Sequence, residues 1–191
     1  MIKAVIFDCF GVLISDGLER VCRRLEVEDP EARSFISETI RLNNSGLIDP
    51  VESNQRIADY LHIDVADWRA QVHEGESRDI PVFELVKSLR PQYKTALLSN
   101  IGKGSLARRF SDEELEDLFD VVVTSAHLGT VKPDPVIYKH TAERLGVEPE
   151  ECVFLDDREG YCDAARDVGM QTIWFRGYEQ AKPELDNILQ G

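Results

Sequence analysis

Hydrophobic and polar positions along the chain fall into two periods, and the switch between them divides the sequence. Ala4-Val5-Ile6-Phe7 is a short unbroken apolar run that stops at Asp8, the pattern of a strand buried on both faces. From Leu18 the period becomes helical: Leu18, Val21, Cys22 and Leu25 share one face, with Asp16 as a candidate cap. Asp29-Pro30 and Asp49-Pro50 each place a capping acid before a proline at the first helical position. They open helices carrying Phe35, Ile36 and Ile40, then Ile57, Ala58 and Leu61, and Val65, Trp68 and Val72 predict a fourth. Residues 15–78 thus read as a small helical bundle inserted after the first strand.

Alternation of strands and helices then resumes. A helix with Val82, Leu85, Val86 and Leu89 precedes Thr95-Ala96-Leu97-Leu98, which stops at Ser99-Asn100. Leu115, Leu118 and Phe119 suggest a short helix before Val121-Val122-Val123-Thr124, and Asp134-Pro135 opens a helix that closes at Gly146. Cys152-Val153-Phe154-Leu155 ends at Asp156-Asp157, and after a helix over Ala164 to Val168 the run Thr172-Ile173-Trp174-Phe175 makes a fifth strand. Five short buried strands separated by helices predict an α/β fold with a parallel sheet and right-handed crossovers.

Composition narrows the partners. A formal net charge of −14 argues against nucleic acid and against an anionic membrane surface, because no continuous basic stretch is available to neutralise phosphates in number. One phosphate in a local pocket remains compatible. No apolar run approaches the ~20 residues of a membrane span, and the sequence enters a strand without a leader of signal-peptide type, so a cytoplasmic protein is expected. Cys9, Cys22, Cys152 and Cys162 show no metal-ligand spacing and are expected as reduced thiols, while His62, His73, His127 and His140 are dispersed. Gly102-Lys103-Gly104-Ser105 lacks the earlier glycine of a phosphate-binding P-loop and is expected to start a helix. Arg20, Arg23 and Arg24 read as a solvated helix face, with an orientation toward substrate as the alternative.

The chemistry lies at the strand ends. Asp8, Ser99 with Asn100, and Asp156 with Asp157 close three strands, and Lys132 follows a fourth. A parallel sheet gathers these ends along one edge. Carboxylates so close repel unless a cation lies between them, and their hard oxygens suit Mg²⁺. Lys132, Ser99 and Asn100 then fit a phosphoryl oxyanion, with Asp8 placed to attack it.

Phe7-Asp8-Cys9-Phe10-Gly11-Val12, Leu98-Ser99-Asn100, Val131-Lys132-Pro133-Asp134-Pro135 and Phe154-Leu155-Asp156-Asp157 resemble, in order, the four motifs of the haloacid dehalogenase superfamily. The helical insertion is similar to the cap of that superfamily's cap-bearing phosphatases. The resemblance implies a Rossmann-like core over 1–14 and 79–191, a helical cap over 15–78, an aspartyl nucleophile at Asp8, and Mg²⁺ held by Asp8, the Phe10 backbone carbonyl, Asp156 and Asp157. The expected function is a Mg²⁺-dependent phosphatase of small phosphorylated metabolites of the sugar-phosphate type, with Ser99, Asn100 and Lys132 at the phosphoryl group.

Two departures open alternatives. Family phosphatases usually carry an acid/base aspartate where this chain has Phe10, and losing such a group typically costs ~10²–10⁴ in rate. Asp16 is a possible substitute, although a helix cap also accounts for it. An aromatic at that position resembles the metal-independent 2-haloacid dehalogenases, the alternative enzyme, which do not pair carboxylates as Asp156-Asp157 does. A catalytically weak member that binds a phosphorylated ligand or protein is the third reading. Tyr161 stands where related segments often have Asn.

Overall fold

The computed structural model describes residues 1–191, the side chain of Val27 excepted. Five strands, β1 (Ala4–Phe7), β2 (Lys94–Ser99), β3 (Val121–Thr124), β4 (Cys152–Asp156) and β5 (Gln171–Trp174), form one parallel sheet in the order β3-β2-β1-β4-β5. The first strand is therefore the central one. Successive side chains point to opposite faces of a strand, which explains the unbroken apolar runs: both faces are covered.

Between β1 and β2 run α1 (Gly17–Glu28), α2 (Pro30–Asn44), α3 (Pro50–Leu61), α4 (Val65–His73) and α5 (Ile80–Leu89). The later helices are α6 (Asp112–Leu118), α7 (Ser125–Leu128), α8 (Pro135–Leu145), α9 (Glu159–Asp167) and α10 (Tyr178–Gln190). Val5, Phe7 and Leu97 pack with Val86 of α5 and Leu185 of α10, whereas Ala4, Ile6 and Leu98 pack with Tyr138 of α8 and Ala165 of α9. Helices α1 to α4 enclose a separate apolar cluster of Val21, Cys22, Ile36, Ile57, Ala58 and Trp68. The Trp68 indole N–H, buried with its ring, donates to Asn54 Oδ1 at 3.1 Å. The chain enters and leaves this bundle side by side, Ser15 N–H donating to Ser77 O and Asp79 N–H to Leu13 O, each at 2.9 Å.

All three Asp-Pro pairs behave as caps: Asp29, Asp49 and Asp134 accept from backbone N–H groups of α2, α3 and α8. Two local outcomes differ from the sequence reading. Gly102–Ser105 is a turn that leads only into a single 3₁₀ turn, Leu106–Arg108. The apolar pattern singled out no helix after β5, yet α10 forms there because Ala181 and Leu185, one turn apart, bury against the sheet.

Candidate active site at the carboxyl edge of the sheet

β1 delivers Asp8 into a buried position, its N–H donating to Leu155 O at 2.9 Å. On one side β2 ends in Ser99, whose buried Oγ has no hydrogen-bond partner; on the other β4 ends in Asp156, which is fully buried. Lys132 reaches between them. Its Nζ lies 2.6 Å from Asp156 Oδ2 and 2.9 Å from Asp8 Oδ1, and donates to Leu98 O at 3.3 Å. Burial alone would lower the Lys132 pKa, but Asp156 and then Asp8 outweigh it and hold the ammonium above the usual lysine value.

The Lys132 loop is fixed by Asn100, whose Nδ2 donates to Lys132 O at 2.9 Å and whose Oδ1 accepts from Lys132 N–H at 2.8 Å. Tyr161 sits beside them, its hydroxyl 3.4 Å from Asn100 Nδ2 and its ring centroid 5.1 Å from Lys132 Nζ. The sequence reading left this tyrosine without a role; its contact with Asn100, 61 positions away, is set by the fold and has no local signature.

Asp157 completes an acidic group with Asp8 and Asp156, one carboxylate oxygen of each lying within 4.8 Å of the others. Burial first, then the Asp8 charge, pushes the Asp157 carboxyl up to about 6. Asp156 is pushed upward for the same reasons, against the pull of Lys132. Both oxygens of Asp156 are engaged, Oδ2 by Lys132 and Oδ1 by the Arg158 N–H at 2.9 Å, whereas Asp8 Oδ1 has no aligned hydrogen bond.

Between this edge and α1 to α4 lies a cavity of about 450 Å³, lined by Asp8, Phe10, Asp16, Ser99, Asn100 and Lys132 among others. Its size suits a small metabolite. Asp16 does cap α1, its Oδ1 accepting from Glu19 N–H at 2.9 Å, yet it also lines the cavity, and burial raises its pKa. The Phe10 ring lies beneath the Arg109 guanidinium at 4.8 Å, and Arg109 is bound in turn by Glu76 through two hydrogen bonds. Arg20 and Arg24 border a separate surface hollow near Gln71 and Glu74, in keeping with a solvated face.

Functional groups collected over the central strand of a parallel sheet mark an α/β enzyme of Rossmann-like build. Within that class the chain belongs to the haloacid dehalogenase-like hydrolase family, whose model matches residues 2–169. It is 36% identical over 119 residues to a phosphorylated carbohydrates phosphatase of Thermotoga maritima, covering 56% of this chain and 54% of that one. It is 35% identical over 113 residues to the bifunctional epoxide hydrolase 2 of Sus scrofa, 56% of this chain but 20% of that protein. The matched region thus spans between a fifth and about half of these relatives. Among solved structures, a HAD-like family hydrolase from Porphyromonas gingivalis superposes with a TM-score of 0.80 at 27% identity, covering 100% of this chain and 99% of that one. A HAD family enzyme of Bacteroides thetaiotaomicron in complex with magnesium and inorganic phosphate gives 0.71 at 26% identity, over 91% and 93% of the two chains. The L-2-haloacid dehalogenase of Xanthobacter autotrophicus with chloropropionic acid covalently bound gives 0.62 at 25% identity, over 90% and 76%.

Proposed function

We propose that this hydrolase is a Mg²⁺-dependent phosphatase of small phosphorylated metabolites of the sugar-phosphate type, acting through an aspartyl-phosphate at Asp8. The observation that carries the reading is Lys132, an ammonium held between Asp8 and Asp156 with Asp157 within 4.8 Å of both. Three carboxylates outnumber one ammonium there, and a divalent cation relieves the excess. The donor set is all oxygen, one carboxylate oxygen each of Asp8, Asp156 and Asp157 lies within 4.8 Å of the others, and Gly11 leaves room for the Asp157 carboxylate, so the residues fit Mg²⁺. Asp8, Asp157, Asp156 and the Phe10 backbone carbonyl would hold it. When bound it neutralises the carboxylates and draws charge from the phosphoryl oxygens.

In this reading residues 15–78 act as a cap domain over a core of 1–14 and 79–191, and closing the cap sheds water from the cavity. An Asp8 oxygen forms a bond to phosphorus as the ester P–O bond breaks. Lys132 and the Ser99 hydroxyl stabilise the charge on the phosphoryl oxygens, and Asn100 holds the Lys132 loop at the edge of that pocket. The departing alkoxide needs a proton that Phe10 cannot give. Asp16, a carboxyl in the same cavity with a pKa raised by burial, is the group proposed to supply it. Water then attacks phosphorus, phosphate leaves and the Asp8 carboxylate is restored.

The likeness to a phosphorylated carbohydrates phosphatase and to a structure holding magnesium and phosphate supports this reading. Phe10 and the likeness to a haloacid dehalogenase favour the second one, attack of Asp8 on carbon with halide leaving unprotonated. Hydrolysis of an aryl phosphate with Mg²⁺, with chelator and in Asp8→Asn, followed by 2-chloropropionate, separates them. Phosphate release that needs both metal and Asp8 supports the phosphatase. Halide release indifferent to chelator supports the dehalogenase, and silence in both assays points to a binding role.

A further inference from the structure

The cavity reverses the charge of the chain. Against 36 acidic and 22 basic residues overall, its lining carries seven lysines and arginines and four carboxylates. Five of the seven cations have carboxylate partners. Lys132 meets Asp8 and Asp156, Arg109 meets Glu76, Arg158 meets Asp16, and Arg33 and Arg41 meet glutamates of the helical bundle. Arg69 and Arg108 remain, with no ion pair among the described residues. Arg69 comes from α4, on the helical side of the cavity, and Arg108 from the 3₁₀ turn after β2, on the sheet side. Both side chains are largely exposed and share the lining of one cavity; burial, then Arg109 and Arg69, draws the Arg108 pKa below the usual arginine value, with Glu76 opposing. Arg108 has one polar contact to the protein, Nη2 donating to Ser105 Oγ at 3.3 Å.

Guanidiniums that line one cavity without ion-pair partners of their own leave their in-plane donors to water, and an oxyanion between them takes up those donors and offsets their mutual, solvent-screened repulsion. We infer that Arg69 and Arg108 form a second anion subsite across the seam between helical bundle and sheet, selecting phosphate monoesters that carry a further oxyanion. The inference deepens the phosphatase reading and rests on it for the first phosphate. Phosphorylated sugar acids and sugar bisphosphates share the required chemistry. The nearby Asn43 amide, which lines the cavity with its Oδ1 unpartnered, supplies an acceptor for a sugar hydroxyl.

The test is calorimetric binding, in the presence of Mg²⁺, of two matched pairs. They are 3-phosphoglycerate against glycerol 3-phosphate, and fructose 1,6-bisphosphate against fructose 6-phosphate. The expected result is a preference of about tenfold or more for the acidic member of at least one pair, weakening as salt is raised. Arg69→Met and Arg108→Met each bring that ratio to within about threefold of unity, and the ratio is insensitive to partial loss of folded protein. The first pair reports a carboxylate and the second a phosphate. Ratios near unity in the wild type, or a preference that survives both substitutions, overturn the subsite. If aryl phosphate is turned over but the ratios are flat, the subsite fails and the phosphatase reading stands. If nothing is turned over and an arginine-dependent preference persists, the subsite stands and the reaction assignment fails.

Discussion

A Cβ added to Gly11 would lie 2.3 Å from Asp157 Cγ, so the loop after β1 makes space for a carboxylate delivered by β4. Gly11 also has φ +83°, a left-handed conformation that costs other residues ~1–2 kcal/mol. Gly11→Ala should therefore lower stability by at least about 1 kcal/mol and also displace Asp157. The expected outcome is a folded variant whose thermal midpoint no longer rises with Mg²⁺. A midpoint that responds as in the wild type would mean that Asp157 is not needed for the ion.

Lys132 is nearly fully buried, and its removal strands two carboxylates. Breaking a buried pair by deleting one partner typically costs ~3–5 kcal/mol, because the remaining charge keeps its desolvation penalty. Lys132→Met should lose about that much in urea unfolding, together with the phosphatase activity. The double variant Lys132→Met, Asp156→Asn should recover part of the stability and none of the activity. Recovery of activity would remove Lys132 from the chemistry.

How much of this could be read from the chain follows from the range of each interaction. The apolar runs ending at Asp8, Ser99 and Asp156, and the Asp-Pro caps of α2, α3 and α8, are local patterns and stood out in the sequence. The meeting of Asp8 with Asp156 followed from parallel pairing, because such a sheet aligns its carboxyl ends, whereas Lys132 reaches them from a loop beyond β3 and α7 that Asn100 holds in place. Contacts that depend on how the helical bundle seats on the sheet left no trace. The Arg109 pairing with Glu76 and the placing of Arg69 and Arg108 on one cavity join bundle to core, while Arg109 over Phe10 joins two core loops, and no periodicity specifies the facing sides of any of them. Asp16 was legible as a cap, but its place in the cavity was not.

Burial and the neighbouring Asp8 raise Asp157 to about 6, well above the ~3.9 of an unfolded aspartate. A native state that holds a proton more tightly than the unfolded chain loses stability as pH rises through the folded value. Asp156, raised by the same causes, adds in the same direction. In chelator the thermal midpoint should therefore fall between about pH 4 and pH 7, the window that runs from the unfolded aspartate value to just past the folded Asp157 value. Mg²⁺ favours the ionised carboxylates, so it should raise the midpoint more at pH 8 than at pH 5. A midpoint flat in pH under chelator would show that these carboxyls are not raised, and an equal Mg²⁺ effect at both values would show that the acidic cluster does not hold the ion.

If Asp16 protonates the leaving group, its importance must grow with the basicity of that group. An aryl oxide departs with little help, whereas an alkoxide needs its proton during P–O cleavage. Asp16→Asn keeps an acceptor for the Glu19 N–H and so preserves the α1 cap, while removing the acid. The expected loss in kcat is about 10²-fold on an alkyl phosphate and under about tenfold on an aryl phosphate, with a steeper dependence of rate on leaving-group pKa. Equal losses on both substrates would reduce Asp16 to a cap. In that event the first step would lose its proposed acid, Phe10 offering none, and the dehalogenase reading, which needs none, would gain.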